Sequence, residues 1–262
     1  MYSCEYARPQ SLAEAAQAIA DGGQAIAGGQ TLIATMKQRL AAPGTLVDLS
    51  QIADLQGIRM DGDRLVIGAM VCHADVASSD VVRANIPALA ELAAGIGDRQ
   101  VRAMGTMGGS VANNDPAACY PSAVLALGAT IITDRREIAA DDYFQGMYAT
   151  ALEPGELIVA IAYPKPQAAA YAKFKQQASR FALVGVFVAK TAAGVRVAVT
   201  GASAEGVFRS AELEAALNAD FSAAAAAAVK VPADGLNSDI HGSAEYRAHI
   251  IGVMAQRAVA SL

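Results

Sequence analysis

The chain of 262 residues contains no tryptophan, few aromatics at 5%, and few charges at 17%, against 54% hydrophobic residues. So little charge on so apolar a chain excludes intrinsic disorder and requires a large buried core. The length admits one large domain or two modest ones. Lys and Arg number 20 against 25 Asp and Glu, a net charge of −5, so the basic stripe that nucleic-acid backbones demand is missing. Cysteines are scarce too: Cys4, Cys72 and Cys119 are odd in number and far apart. That fits a reduced compartment and supplies neither a disulfide framework nor a zinc or iron–sulfur ligand set. The opening MYSCEYARPQ has no basic start followed by an apolar stretch, and the alanine run Ala223 to Ala228 is too short to span a bilayer. A cytoplasmic protein without a membrane span is the expectation.

Catalytic side chains are equally thin. His73, His241 and His249 are the only histidines, none in an H-E-x-x-H pattern, and each is expected as a cap or surface residue. The chain has no G-x-S-x-G elbow, no G-x-x-x-x-G-K-[ST] loop and no G-x-G-x-x-G fingerprint. Serine hydrolases, P-loop enzymes and Rossmann dehydrogenases are thereby disfavoured.

What is present begins at Ser11, where S-L-A-E forms a capping box for a helix running to Asp21, stopped by Gly22 and Gly23. A short strand over Gln24 to Ala27 leads through Gly28-Gly29 into a second helix, with Leu32, Ile33, Met36 and Leu40 on one face, closed by Pro43. Thr45 to Leu49 reads as a strand. Asp61-Gly62 is a hairpin turn before the strand Leu65 to Ala69, Ile86 to Ala94 and Pro121 to Leu127 are helical, and Thr130 to Thr133 and Leu157 to Tyr163 are strands. Pro164, Pro166 and the small residues after them mark the best boundary. Beyond it a hairpin pairs Phe181 to Ala189 with Val195 to Thr200, and helices follow at about Ala211 to Leu217, Ser222 to Val229 and Glu245 to Ala260.

Two glycine clusters stand out: Ala27-Gly28-Gly29-Gln30-Thr31 between a strand and a helix, and Gly105-Thr106-Met107-Gly108-Gly109-Ser110. Each is also readable as a plain turn. Together they offer two sets of exposed amides able to hold the two phosphates of a dinucleotide, with hydroxyls from Thr106 and Ser110. With no catalytic constellation nearby, they point to a cofactor that carries its own chemistry.

The stretches A-G-G-Q-T-L-I-A-T-M-K-Q-R-L at Ala27 to Leu40 and R-Q-V-R-A-M-G-T-M-G-G-S-V-A-N-N-D-P-A-A at Arg99 to Ala118 closely resemble the two FAD-binding signatures of the flavoprotein subunit of molybdenum hydroxylases, the xanthine dehydrogenase and carbon monoxide dehydrogenase family. A-L-E-P-G-E-L-I from Ala151 and Y-A-K-F-K from Tyr171 extend the likeness, which covers about Tyr6 to Ala189. The resemblance implies an α+β fold: a vanillyl-alcohol-oxidase (PCMH) type FAD-binding domain over residues 1–165, in subdomains of about 1–55 and 56–165. A C-terminal α+β domain with a three-stranded antiparallel sheet follows over 166–262. It implies that Ala27, Gly28, Gly29, Gln30, Thr31 and Leu32, with Gly105, Thr106, Gly108, Gly109 and Ser110, wrap the FAD pyrophosphate. Asp115, Ile158 and Lys175 are implied near the flavin or its ribityl chain, and Phe181 near the isoalloxazine. A solvated lysine and an ordinary core aromatic are the alternatives at Lys175 and Phe181. Where relatives follow N-N-D-P-A-A with an acidic residue, this chain has Cys119.

The function so implied is an electron-transfer oxidoreductase subunit with noncovalent FAD, active only in a complex. An iron–sulfur small subunit would carry the [2Fe-2S] clusters and a molybdopterin large subunit the molybdenum cofactor, in a dimer of heterotrimers. NAD, a quinone or oxygen would accept the electrons. The rivals are a non-catalytic assembly module of the same fold and a stand-alone flavin oxidase, which would need its own acid or base groups.

Overall fold

A computed structural model describes residues 1–262. The chain opens with β1 (Glu5–Ala7), α1 (Leu12–Ala20), β2 (Gln24–Ile26), α2 (Leu32–Lys37) and β3 (Thr45–Asp48). The three strands form a parallel sheet in the order β1-β3-β2. Ser11 Oγ accepts from the Glu14 amide at 3.3 Å, while the Glu14 carboxylate reaches back to the Gln10 amide at 2.7 Å. This is the capping box, shifted by one residue on its return arm. Helix α2 is shorter than its apolar spacing predicts. Arg39 turns left-handed at φ 62° and the Leu40 amide closes back on Thr35 O at 3.0 Å, a Schellman-type ending. Leu40 is therefore 76% exposed rather than part of the buried face.

A second sheet, antiparallel throughout, is built from β4 (Ile58–Asp61), β5 (Arg64–Gly68), β6 (Thr130–Thr133), β7 (Glu137–Ala139) and β8 (Ile158–Pro164), in the order β4-β5-β8-β6-β7. Between β5 and β6 the chain makes α3 (His73–Ser78), α4 (Asp80–Asn85), α5 (Pro87–Ala94), α6 (Arg99–Met104), α7 (Met107–Asn113) and α8 (Tyr120–Leu127), and α9 (Ala140–Tyr143) follows β7. The whole of α8 is buried. Its mostly apolar sequence carries no amphipathic stripe because every face meets protein, and its one serine, Ser122, donates to Cys119 O at 2.7 Å.

The third sheet has the order β12-β11-β10-β9, from β9 (Ala168–Lys175), β10 (Ala182–Thr191), β11 (Gly194–Thr200) and β12 (Phe208–Arg209). Three long antiparallel strands are thus joined by a two-residue edge strand. The small residues after Pro166, read with the two prolines as a boundary, start β9. Alternation along β10 sorts its side chains between two cores. Val184, Val186 and Val188 pack with Ile251 and Met254 of α12 (Ala244–Ala260), beside α10 (Ala211–Ala219) and α11 (Ala223–Ala228). Phe187 and Ala189, with Ala198 of β11, join the core of the second sheet. Each fully buried Val contributes about 1.5–3 kcal/mol. The third sheet is therefore fixed on both faces, and Arg196 adds a polar clamp by donating to Leu125 O at 2.7 Å and Asp141 Oδ1 at 2.6 Å.

Candidate cofactor site

All three sheets border one cavity of about 640 Å³. Fourteen of the fifteen residues expected at the site line it, Lys175 being the exception. The first glycine cluster is a loop from β2 into α2, and Gly29 takes φ 67°, the left-handed region that favours glycine. Gly28 is demanded by a backbone: a Cβ there would lie 2.1 Å from Met104 O and 2.7 Å from Gly105 Cα. The two glycine clusters thus touch main chain to main chain. None of the amides from Gly28 to Leu32 donates to an acceptor within the protein; the loop's own carbonyls are served by the Gln30 side chain, at 3.2 Å from Gly28 O, and by the Ile33 amide, at 3.0 Å from Gly29 O. A run of unspent N–H donors lining a cavity is an anion cradle.

The second cluster differs from the expected amide loop. Gly108, Gly109 and Ser110 lie inside α7, and their amides are already spent: Met107 on Val71 O at 3.0 Å, Gly108 on Ala69 O at 2.8 Å, Gly109 on Thr106 Oγ1 at 3.1 Å and Ser110 on Thr106 O at 3.1 Å. Thr106 lines the cavity as the N-cap of α7, its Oγ1 accepting the Gly109 amide. Gly108 is small because a Cβ would sit 2.5 Å from Ala69 Cβ. This cluster supplies a close wall and the hydroxyl of Ser110, while the first supplies the donors. Asp115 lines the cavity, with one carboxylate oxygen accepting the Ala117 amide at 2.8 Å and the other 3.4 Å from the Tyr148 hydroxyl. Ile158 is a buried wall residue, and Phe181, at the cavity's edge, is 49% exposed, which sets aside the ordinary core aromatic.

Lys175 lies at the exposed end of β9, outside the cavity; Lys173, two residues earlier, lines it. Its Nζ donates to Gly95 O at 3.1 Å and Cys119 Sγ at 3.3 Å. Cys119 is buried and also lines the cavity. Sequence reasoning also passed over Ser179 and Arg180, which line the cavity although no motif marks them as ligands, and over Asn113, which lies within the second signature. His73, expected at a cap or on the surface, is a buried wall residue, 5% exposed, with no partner at Nδ1. Burial, aided by the charge of Arg102, lowers its pKa to about 4, so it is neutral at pH 7. Glu156 borders the cavity but is committed elsewhere. Its hydrogen bond with Arg136, with those from the Glu153 amide and Thr133, pulls its pKa down to about 2.

The unspent amides suit a diphosphate, and the apolar walls at Ile26, Leu49, Ile158 and Phe181 suit a flat ring system. Such a cavity has the features of a dinucleotide-binding protein. Residues 2–166 match the family model of the FAD binding domain in molybdopterin dehydrogenase, and the chain belongs to that family, as an FAD-binding medium subunit of the molybdenum hydroxylases. It is 39% identical to the carbon monoxide dehydrogenase medium chain of Afipia carboxidovorans, across 98% of this chain and 96% of that one. Identity to the nicotine 6-hydroxylase medium subunit of Paenarthrobacter nicotinovorans is 34%, over 97% and 95% of the two chains. The solved structure of a cyanide-inactivated Cu,Mo-CO dehydrogenase superposes with a TM-score of 0.88 at 36% identity, covering 99% of this chain and 97% of the other. These relatives are subunits of oxidoreductases, and no helix of this chain is long and apolar enough to cross a membrane.

Proposed function

We propose that the chain holds FAD noncovalently in this cavity, with the pyrophosphate on the amides of Gly28 to Leu32, and relays electrons within a molybdenum hydroxylase complex. The run of unspent amides facing α7 carries this reading. In it, Lys173 and Arg180 add positive charge, Asp115 and Ser110 meet hydroxyl groups of the cofactor, and Phe181 covers the ring at the open edge. When bound, the flavin accepts electrons and returns them to a second acceptor, which the protein itself lacks any group to do. Domain boundaries at residues 165 and 166 separate the part holding the pyrophosphate from the part that closes the ring side.

The partners in this reading are an iron–sulfur small subunit and a molybdopterin large subunit, assembled as a dimer of heterotrimers in the cytoplasm. Electrons leave to NAD, a quinone or oxygen. A stand-alone oxidase is disfavoured because Glu156 is tied up by Arg136 and His73 is buried. The chain purified alone should bind FAD and oxidise no aldehyde or heterocycle, whereas co-expression with the two partners should give a complex whose flavin is reduced by substrate. An isolated chain with full dehydrogenase turnover would refute the relay role.

A further inference from the structure

The segment from Asp115 to Cys119 lines the cavity through Asp115, Ala117, Ala118 and Cys119, yet its main chain is held from behind by the third sheet. Pro116 O accepts from the Gly201 amide at 2.7 Å, and Ala118 O lies 2.6 Å from Thr200 Oγ1, whose other near neighbour is Pro116 O at 2.8 Å. A hydroxyl has one proton, and Pro116 O is already served by Gly201, so the Thr200 proton belongs on Ala118 O. Thr200 is fully buried at the end of β11. Gly201 follows at φ 83°, where a Cβ would come within 2.3 Å of Ala182 O.

Behind this pair stands Arg247 of α12, 2% exposed. Its Nη1 donates to Gly201 O and to Leu183 O, both at 3.0 Å, and its Nη2 to both carboxylate oxygens of Asp239 at 2.9 and 2.8 Å. Leu183 lies two residues beyond Phe181, the aromatic at the cavity edge. One buried guanidinium therefore fixes the start of β10, just after the cavity-lining Ser179, Arg180 and Phe181, and the end of β11, which holds the Asp115 to Cys119 wall. A buried arginine is expensive to desolvate, and hydrophobic packing alone could seat α12.

We propose that Asp239, Arg247 and Thr200 form a latch that positions the Asp115 to Cys119 wall, making Thr200 and Arg247 positioning residues for FAD although neither touches the cavity. The inference rests on the reading that the cavity binds FAD. It explains why a helix near the C-terminus bears a buried cation: the helix sets the cavity's shape.

The test is FAD titration of the deflavinated full-length chain, followed by flavin fluorescence at a temperature where every variant is folded, with melting of each apo variant measured separately. Thr200→Val keeps the volume and removes the donor. It should raise the FAD Kd about tenfold, the size of one lost buried hydrogen bond, and lower apo melting by only a few degrees through the same loss. Thr200→Ser should restore wild-type affinity. Wild-type affinity in Thr200→Val, or equal weakening in both variants, would overturn the latch, since then the hydroxyl is not what positions the wall. If Thr200→Val fails to fold, Asp239→Asn, altered only at the half-exposed outer end, should speed FAD release several-fold; an unchanged release rate would overturn the proposal equally. A wild-type chain that binds no FAD would instead refute the cofactor reading on which the latch rests.

Discussion

Replacing Gly28 by alanine probes the contact on which the cavity is built. The added Cβ would stand 2.1 Å from Met104 O, 2.7 Å from Gly105 Cα and 2.8 Å from Met104 C, all main-chain atoms, where ordinary contacts begin at 3.4 Å. No side chain can swing away, so the β2–α2 loop and the turn into α7 must part by more than about an ångström. Overpacking of this kind costs about 1–3 kcal/mol. For a chain this long, each kcal/mol moves the melting midpoint by roughly 2–4 °C. Gly28→Ala should therefore melt several degrees low and lose most bound FAD. Gly109→Ala is the matched control. Its Cβ would meet only Thr106 Oγ1 at 2.8 Å and Ala27 Cβ at 3.4 Å, and alanine favours the helix by roughly 0.5–1 kcal/mol over glycine. That variant should melt near wild type yet bind FAD more weakly, because the methyl projects toward Ala27 between the two clusters. Differential scanning calorimetry of the apo chains with FAD titration separates the two effects. A Gly28→Ala protein with wild-type melting and affinity would refute the claim that the clusters meet backbone to backbone.

Lys173→Met should weaken FAD binding roughly tenfold through loss of a charged donor, whereas Lys175→Met should leave it unchanged; titration of both decides which lysine faces the cofactor. Glu156, with its pKa lowered from 4.5 to about 2, adds stability that is complete above pH 4.5 and fades as pH falls toward 2. Glu156→Gln should remove that acid-dependent part, so melting curves collected across this window should be flatter in pH for the variant than for wild type. Asp115→Ala should lower flavin retention during gel filtration, while Cys119→Ser should leave flavin content and turnover of the assembled complex nearly unchanged. Activity lost in Cys119→Ser with flavin still bound would point to thiol chemistry.

Much of the site was legible because its signals are local. The loop over Gly28 and Gly29 is marked by residues adjacent in sequence, and both strand and helix around it follow from apolar spacing. The role of the second cluster was not legible. Whether the amides of Gly108 and Gly109 are free depends on Ala69 and on the Thr106 cap, and Ala69 is remote in sequence. Lys173 and Lys175 share a face of β9 by their spacing, and only the strand's end at Lys175 separates the half-buried from the exposed one. His73 was misplaced for a similar reason: as the first residue of α3 it resembles a cap, and its burial comes from Gly105 and from Tyr120, whose ring centroid is 5.2 Å away. The small-residue run Ala168 to Ala170 reads only as part of a boundary, but its small side chains let β9 lie between two cores, and no local pattern announces that.

The central claim is that this chain by itself forms the FAD site. Its most direct test is the visible spectrum of the purified full-length chain after incubation with FAD and desalting, followed by acid precipitation. The account predicts one flavin per chain, all of it released into the supernatant. A colourless desalted chain would contradict the site assignment, and colour remaining in the pellet would contradict noncovalent binding.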